Sequence, residues 1–414
     1  MSNTIIRNGT LIDGNGGTPI PNAAVLIREN KIVAAGPQAA IQPPNAETQI
    51  IDANGGTIMP GLIDTHVHVM LQDINIPQLL ATPFSLHFYK AMHYMRRTLH
   101  AGITTVRDAG GADLGIKQAV EQGLINGPRM QISITAMSIT GGHGDGTMPS
   151  GVNLNFFPAH PGRPGNIADG VEGVRLKVRE LLRAGADVIK ICSTGGVLSP
   201  TDHPEFTQYS PEELDVIVRE AAYRRGVKVM SHAQGIDGIR NAVEAGVHSI
   251  EHAIYLDEPL CELMIERGTF VVPTLLAPIA VLEDAATKSN MPEYAVAKSR
   301  EVIEAHSASI SLAHKMGVKI AMGTDAGVMP HGTNLRELGL MVGIGMTPME
   351  AIVATTKTAA ECLEWDDRVG TIETGKLADI IISSVNPIAD INGLADNDNI
   401  PFVMQNGKIK KNNL

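Results

Sequence analysis

Residues 210–252 read SPEELDVIVREAAYRRGVKVMSHAQGIDGIRNAVEAGVHSIEH, and this stretch decides the fold. Ser210-Pro211-Glu212-Glu213 joins a capping hydroxyl to a proline in the first turn and a glutamate at the third helical position, which predicts a helix start. Arg225-Gly226 predicts its stop, because glycine readily takes the left-handed conformation that ends a helix. Val227–Ser231 is short and largely apolar, as a parallel strand covered on both faces should be. A second helix is predicted near 236–245, stopped at Ala245-Gly246, and a second strand at Ser249–Glu251.

The same unit recurs on either side. Further strands are predicted at Thr57–Ile63, Ile103–Arg107, Met130–Ala136, Val188–Cys192, Phe270–Thr274 and Val318–Gly323. Helices are predicted near 84–101, 114–126, 168–184, 257–267, 291–316 and 347–363, the last opening on Thr347-Pro348-Met349-Glu350. Eight strands, each followed by a helix, is the count of an α/β fold of the (β/α)8 TIM-barrel type. An open doubly wound sheet would usually show fewer units and a glycine-rich fingerprint after its first strand, which is absent. The ends read differently. Ile5–Gly9, Ala24–Ile27, Ala378–Ile382 and Pro401–Gly407 are strand-like and interrupted by turns such as Asp13-Gly14 and Asn30-Lys31. A small β-sandwich domain built from both termini, residues 1–59 and 368–414, is expected around a barrel at 60–367.

Composition narrows the function classes. The 414 residues exceed an ordinary domain of roughly 100–150 residues. With 43% hydrophobic and 19% charged residues, disordered, collagenous and coiled-coil chains are excluded. A formal charge of −11 without a Lys/Arg run argues against a general nucleic-acid or anionic-membrane binder. Cys192, Cys261 and Cys362 lie far apart, so no disulfide scaffold is expected, and a reducing, cytoplasmic setting suits them. No signal peptide and no apolar run of the roughly 18 residues a membrane span needs is read.

Catalytic groups of a barrel sit at the C-terminal ends of its strands. Past the first strand stands Asp64-Thr65-His66-Val67-His68, whose two imidazoles share one strand face and have the spacing to hold one divalent metal. At the fourth stands Lys190, flanked by Ile189 and Ile191, a cation costly to bury. A carboxylate partner, or conversion to a carbamate bridging two metals, are both open readings of it. His232, His252 and Asp325 close the fifth, sixth and eighth strands. Each alone reads as structural. Ligand-type side chains at the same end of five strands, in order, read as a set.

That set resembles the amidohydrolase superfamily over essentially the whole chain. Pro60-Gly61-Leu62-Ile63-Asp64-Thr65-His66-Val67-His68 is similar to the family's first metal motif, and Gly370–Asp379 to its closing signature. Lys190-Ile191-Cys192-Ser193-Thr194-Gly195-Gly196-Val197, Ser249-Ile250-Glu251-His252 and Gly142-His143-Gly144-Asp145 resemble its imidazolonepropionase-like branch of prolidases and Xaa-Arg/Lys dipeptidases, and ochratoxin-hydrolysing amidases too. The resemblance implies two divalent ions, usually zinc: one on His66, His68 and Asp325, the other on His232 and His252, with carboxylated Lys190 and a hydroxide bridging them. It also implies a homo-oligomer. The expected activity is hydrolysis of an amide or peptide bond in a small substrate, a dipeptide or N-acyl amino acid, with Asp325 as general base and acid. The alternative is a cyclic amidase or deaminase acting on a heterocycle, as imidazolonepropionase does. A metal-free scaffold barrel would be expected to have lost ligands, and this chain keeps all six.

Substrate residues are read more broadly. His143 is a candidate to donate to the oxyanion or bind a substrate carboxylate, or is a plain loop histidine. Tyr255 is a candidate hydrogen-bond donor to the substrate, and His331 a candidate substrate contact or, with Asn334, a helix-entry residue. Arg107 and Asp108 are expected to pair. His87, His93 and His100 read as a helix face, and Cys192 lacks a nearby base. Gly141–Gly165 reads as a lid or a mobile loop. Asp73 and Asp145 would favour a basic side chain, and Phe156, Phe157 and Tyr255 are the rings available to stack.

Overall fold

Gly61 is where the chain changes sheets. Before it, Thr57–Pro60 lies between Asn3–Leu11, its parallel neighbour, and Ile380–Ser383, its antiparallel one. After it, Leu62–Val67 pairs in parallel with Ile103–Asp108. The single expected strand Thr57–Ile63 is therefore two. A Cβ on Gly61 would stand 2.3 Å from Thr104 Oγ1, so only glycine lets the two layers meet here. The computed structural model describes residues 2–72, 74–155, 157–288 and 291–414.

Both ends of the chain supply the first sheet. Its strands run in the order Lys408–Asn412, Phe402–Gln405, Ile380–Ser383, Thr57–Pro60, Asn3–Leu11, Ile20–Arg28 and Lys31–Pro37, and Gln49–Asp52 also pairs with Asn3–Leu11. Hydrogen bonding joins them in one sheet. Ile6, Val25, Ile27, Ile58, Ile380, Phe402 and Met404 form its own apolar core.

The middle of the chain builds parallel sheets between helices. One runs Leu62–Val67, Ile103–Asp108, Arg129–Ile132. The other runs Ala136–Met137, Ile189–Cys192, Val229–Ala233, Ser249–His252, Phe270–Val272. Residues 319–326 lie between the outer strands of the two. Ala321 N donates to Val271 O at 2.9 Å, while Thr65 N donates to Met322 O at 2.9 Å and His68 N to Ala326 O at 2.7 Å. The expected eighth strand thus appears as isolated bridges at Ile320 and Ala326. Both predicted capping boxes form, at Ser210/Glu213 and Thr347/Glu350. Three helices went unread, Ile76–Ala81, Leu276–Thr287 and Arg336–Gly343. The long apolar run of Leu276–Thr287 carries neither a capping side chain nor a glycine stop. Among the described residues, no helix is long and apolar enough to cross a membrane.

Arg129 and Asp379 pin the two layers together. Arg129 Nη1 and Nη2 reach the Asp379 carboxylate at 2.5 and 3.2 Å, and Asn406 N adds a third bond at 2.7 Å. Asp379→Ala strands the guanidinium, which keeps some solvent. The expected loss is about 3 kcal/mol, the lower end for breaking a buried pair, read as a lower urea midpoint at unchanged slope.

Candidate metal centre

The strand Leu62–Val67 and the turn after it aim two imidazoles at one point. His66 Nδ1 meets Glu251 Oε2 at 2.7 Å, and His68 Nδ1 meets the Gly110 carbonyl at 2.8 Å. Each therefore carries its proton on Nδ1 and presents Nε2 as a lone pair. Asp325 Oδ1 stands 3.5 Å from His66 Nε2 and 3.2 Å from His68 Nε2. The ligand atoms of these three residues lie within 4.8 Å of one another.

Two more imidazoles complete the ring. His232 Nε2 donates to the Gly195 carbonyl at 3.0 Å, and His252 Nδ1 meets Thr274 Oγ1 at 2.7 Å. Their ring centres are 4.5 Å apart, and His252 is 5.2 Å from His66. Each again has one nitrogen held and one free. Burial lowers the His66 pKa to about 4 and holds His232 and His252 well below the usual histidine value. Neutral imidazoles are the form a metal binds. Burial alone would raise Asp325, but His66, His68 and Lys190 bring it down to about 2. His252 and Asp325 hold left-handed backbones, φ 74° and 63°, each a strain of about 1–3 kcal/mol.

Lys190 lines the same cavity and is buried. Burial lowers its pKa. No hydrogen bond or ion pair to its ammonium is present among the described residues. A buried, unpaired cation is costly. The donor set fits divalent metals: four oriented imidazoles, a carboxylate, and an orphaned amine of the kind that takes up CO2.

Behind the ring lies a charged layer. Glu251 accepts from His66, from Arg107 Nη2 at 3.0 Å and from Ser249 Oγ at 2.6 Å. Arg107 Nε donates to the Thr65 carbonyl at 2.7 Å. The expected Arg107–Asp108 pair does not form, because neighbours on a strand face opposite ways. Asp108 instead accepts from the backbone N–H groups of Val69, Gly110 and Ala112 at 2.8–3.1 Å. Asn334 Nδ2 donates to Asp64 Oδ2 at 2.8 Å.

The substrate candidates divide. His143 lines the cavity, its ring stacked 4.0 Å from His232. Tyr255 lies in a shallow groove beside Ile236, Leu256 and Ala305, while its neighbour Ile254 reaches the cavity. His331 is not at the cavity either. Its Nε2 reaches the Leu71 and His68 carbonyls at 2.9 and 3.2 Å, Nδ1 meets Thr98 Oγ1 at 3.0 Å, and Tyr94 stacks on its ring. It steadies the turn that carries His68. Phe157 stacks on His68 at 5.9 Å. Cys192 lines the cavity, but burial pushes its thiol up to about 12, far from a nucleophile. Asp145 binds the Gly141 and Thr147 backbone N–H groups at 2.8 and 2.9 Å. Asp73 and Phe156 lie outside the described residues. Sequence reading missed Ser199 and Asp202 beside His143; their only trace was two polar residues in the loop following Lys190.

The chain is similar along its length to known proteins. Residues 57–410 match the model of the amidohydrolase family. The chain is 36% identical to the ochratoxinase of Aspergillus niger, covering 99% of this chain and 86% of that protein. It is 27% identical to an imidazolonepropionase from Geobacillus sp. (strain WCH70), over 88% of this chain and 84% of the relative. A crystal structure of a prolidase complexed with N-methylphosphonate-L-proline superposes with TM-score 0.91 at 36% identity, over 99% and 100% of the two chains. The chain belongs to the amidohydrolase family of hydrolases.

Proposed function

We propose that this protein is a binuclear metal-dependent hydrolase of amide or peptide bonds in a small substrate, a dipeptide or N-acyl amino acid. The observation that carries this reading is the convergence of His66, His68 and Asp325 ligand atoms within 4.8 Å, in a cavity that also holds unpaired Lys190. The amide-bond chemistry is supported by the ochratoxinase and prolidase likenesses. On this reading the two parallel sheets and residues 319–326 make one (β/α)8 barrel. The terminal sheet, residues 1–59 and 368–414, is then a second domain beside residues 60–367.

His66, His68 and Asp325 would hold one ion, His232 and His252 the other, and Lys190, as its carbamate, both. Bound there, divalent ions, zinc by family, supply a water-derived nucleophile at neutral pH and polarise the scissile carbonyl. Asp325 takes the proton of the attacking water and returns it to the leaving nitrogen as the C–N bond breaks. His143 faces the substrate from across the cavity, and Phe157 and Leu154 cover it from the Gly141–Gly165 segment. The walls are mainly apolar, with Leu71, Val197, Leu198, Val281 and Val302 among them. Asp145 is committed to backbone N–H groups, so apolar rather than basic side chains are favoured. Three buried free cysteines suit a reducing compartment such as the cytoplasm.

The deciding experiment is a panel of zinc-loaded reactions, with bicarbonate present. N-acyl amino acids and dipeptides with apolar side chains are expected to be hydrolysed, and lactams and imidazolones left intact. The opposite pattern selects the heterocycle reading. Asp325→Asn is expected to lower kcat roughly 10²–10⁴-fold with most metal retained; near-parental turnover removes Asp325 from the proton path. Lys190→Met removes a buried cation that has no direct partner, so the melting temperature of the metal-free variant should equal or exceed that of the metal-free parent. The variant's zinc content after loading should nevertheless fall below one equivalent by elemental analysis, and full retention of both ions would refute a bridging lysine.

A further inference from the structure

His143 is held by a short polar chain that the proposed hydrolysis does not by itself require. His143 Nδ1 lies 2.8 Å from Ser199 Oγ. Ser199 Oγ makes a very short bond to Asp202 Oδ1 and a longer one, 3.2 Å, to the Gly196 carbonyl. Asp202 Oδ2 accepts from Gln208 Nε2 at 3.3 Å, and Gly196 N reaches Oδ1 at 3.4 Å. Lys298 Nζ is 3.5 Å from Asp202 Oδ1 and donates to the carbonyls of Gly196, Ser199 and Asp202 at 2.9, 2.8 and 2.5 Å. The ammonium on the helix Glu293–Met316 thus clamps the loop that carries both Ser199 and Asp202. Ser199 and Asp202 are buried, at 3% and 8% exposure, so water does not substitute for these bonds.

Counting protons gives the direction of each bond. A carboxylate only accepts, and a serine hydroxyl has one proton to give. The closest acceptor of the Ser199 proton is Asp202 Oδ1. The Ser199 oxygen is then left to accept, and only His143 Nδ1–H stands in reach to donate. The imidazole ring lies flat on His232, 15° from parallel, so it has little freedom to swing away from Ser199.

We propose that Ser199 and Asp202 are positioning residues that fix the proton of His143 on Nδ1 and make Nε2 its working nitrogen toward the substrate. This inference rests on the amide-hydrolase reading for what Nε2 does, but not for the tautomer itself. With the proton locked on Nδ1, neutral His143 offers the substrate a lone pair: it accepts a hydrogen bond from a substrate N–H. It donates to a carbonyl oxygen only after taking up a second proton, a cation that Asp202 would steady through Ser199. Without the Ser199 oxygen the two tautomers become nearly equal, and a fraction of the enzyme presents Nε2–H in place of the lone pair.

The test uses zinc-loaded full-length protein labelled with ¹⁵N-histidine, with the His143 signals assigned by their loss in His143→Gln. The wild type is expected to show Nδ1 protonated and Nε2 bare. Ser199→Ala should move His143 toward the Nε2–H form and lower kcat roughly 10–100-fold with KM changed little, at unchanged zinc content. Ser199→Thr keeps the hydroxyl and should restore tautomer and kcat together. Asp202→Asn, whose amide can donate to Ser199 and reverse the chain, should move His143 the same way as Ser199→Ala. A wild-type His143 in the Nε2–H form, or a tautomer indifferent to Ser199→Ala, overturns the proposal. Should the tautomers behave as stated while no amide is hydrolysed by the wild type, the positioning inference stands and the amide-hydrolase reading falls.

Discussion

Glu251 is a carboxylate with no access to water, and such a charge persists only where fixed donors replace its hydration. Burial alone would push its pKa up; Arg107, then His66 and Lys190, bring it down to about 2. The consequence reaches across the molecule. Arg107 comes from the second parallel strand and binds the backbone of the first, at Thr65. Glu251 comes from the strand Ser249–His252 and binds His66 of the first. One buried ion pair thereby ties three strands and fixes a proton on His66 Nδ1. The lone pair of His66 faces Asp325 because Glu251 occupies the other side of the ring.

The same logic of an outer partner setting an inner nitrogen runs round the whole ring. Gly110 does it for His68, Gly195 for His232 and Thr274 for His252. Most of these partners are backbone atoms in tight turns past the strand ends. Left-handed backbones at His252 and Asp325 carry a local strain that a metal-binding geometry would offset and an idle surface would not retain. Lys190, buried with no direct hydrogen bond or ion pair among the described residues, belongs to the same account. These features are what the proposed metal centre would require of its residues.

Much of this was legible in the amino-acid sequence. His66, His232 and His252 lie at the C-terminal ends of readable strands and His68 just past one, while Lys190 lies inside Ile189–Cys192 and the strand expected before Asp325 is reduced to isolated bridges. Both capping boxes were readable from four residues each. What escaped has physical reasons. The helix Leu276–Thr287 has no cap and an apolar sequence that does not alternate cleanly between faces. The split at Gly61 depends on Thr104, far away in the chain. Tyr255 and His331 are the right residue types near the right motifs. Whether a side chain enters a cavity depends on the turn that follows the strand, and no local pattern specifies that turn. Partners of buried charges, such as Arg107 with Glu251 rather than Asp108, are set by tertiary packing alone.

The position of Thr57–Pro60 has a bearing on how the protein is made. It is an interior strand of the terminal sheet, covered on one edge by Asn3–Leu11, which the ribosome has already released, and on the other by Ile380–Ser383, which emerges last of the three. At ordinary elongation rates the interval between them is on the order of tens of seconds. For that time an apolar strand edge stands open on a nascent chain whose parallel sheets are already forming. Co-translational assembly is therefore discontinuous: the strands that carry the candidate metal site can condense early, while the sheet at their base is sealed only as translation ends.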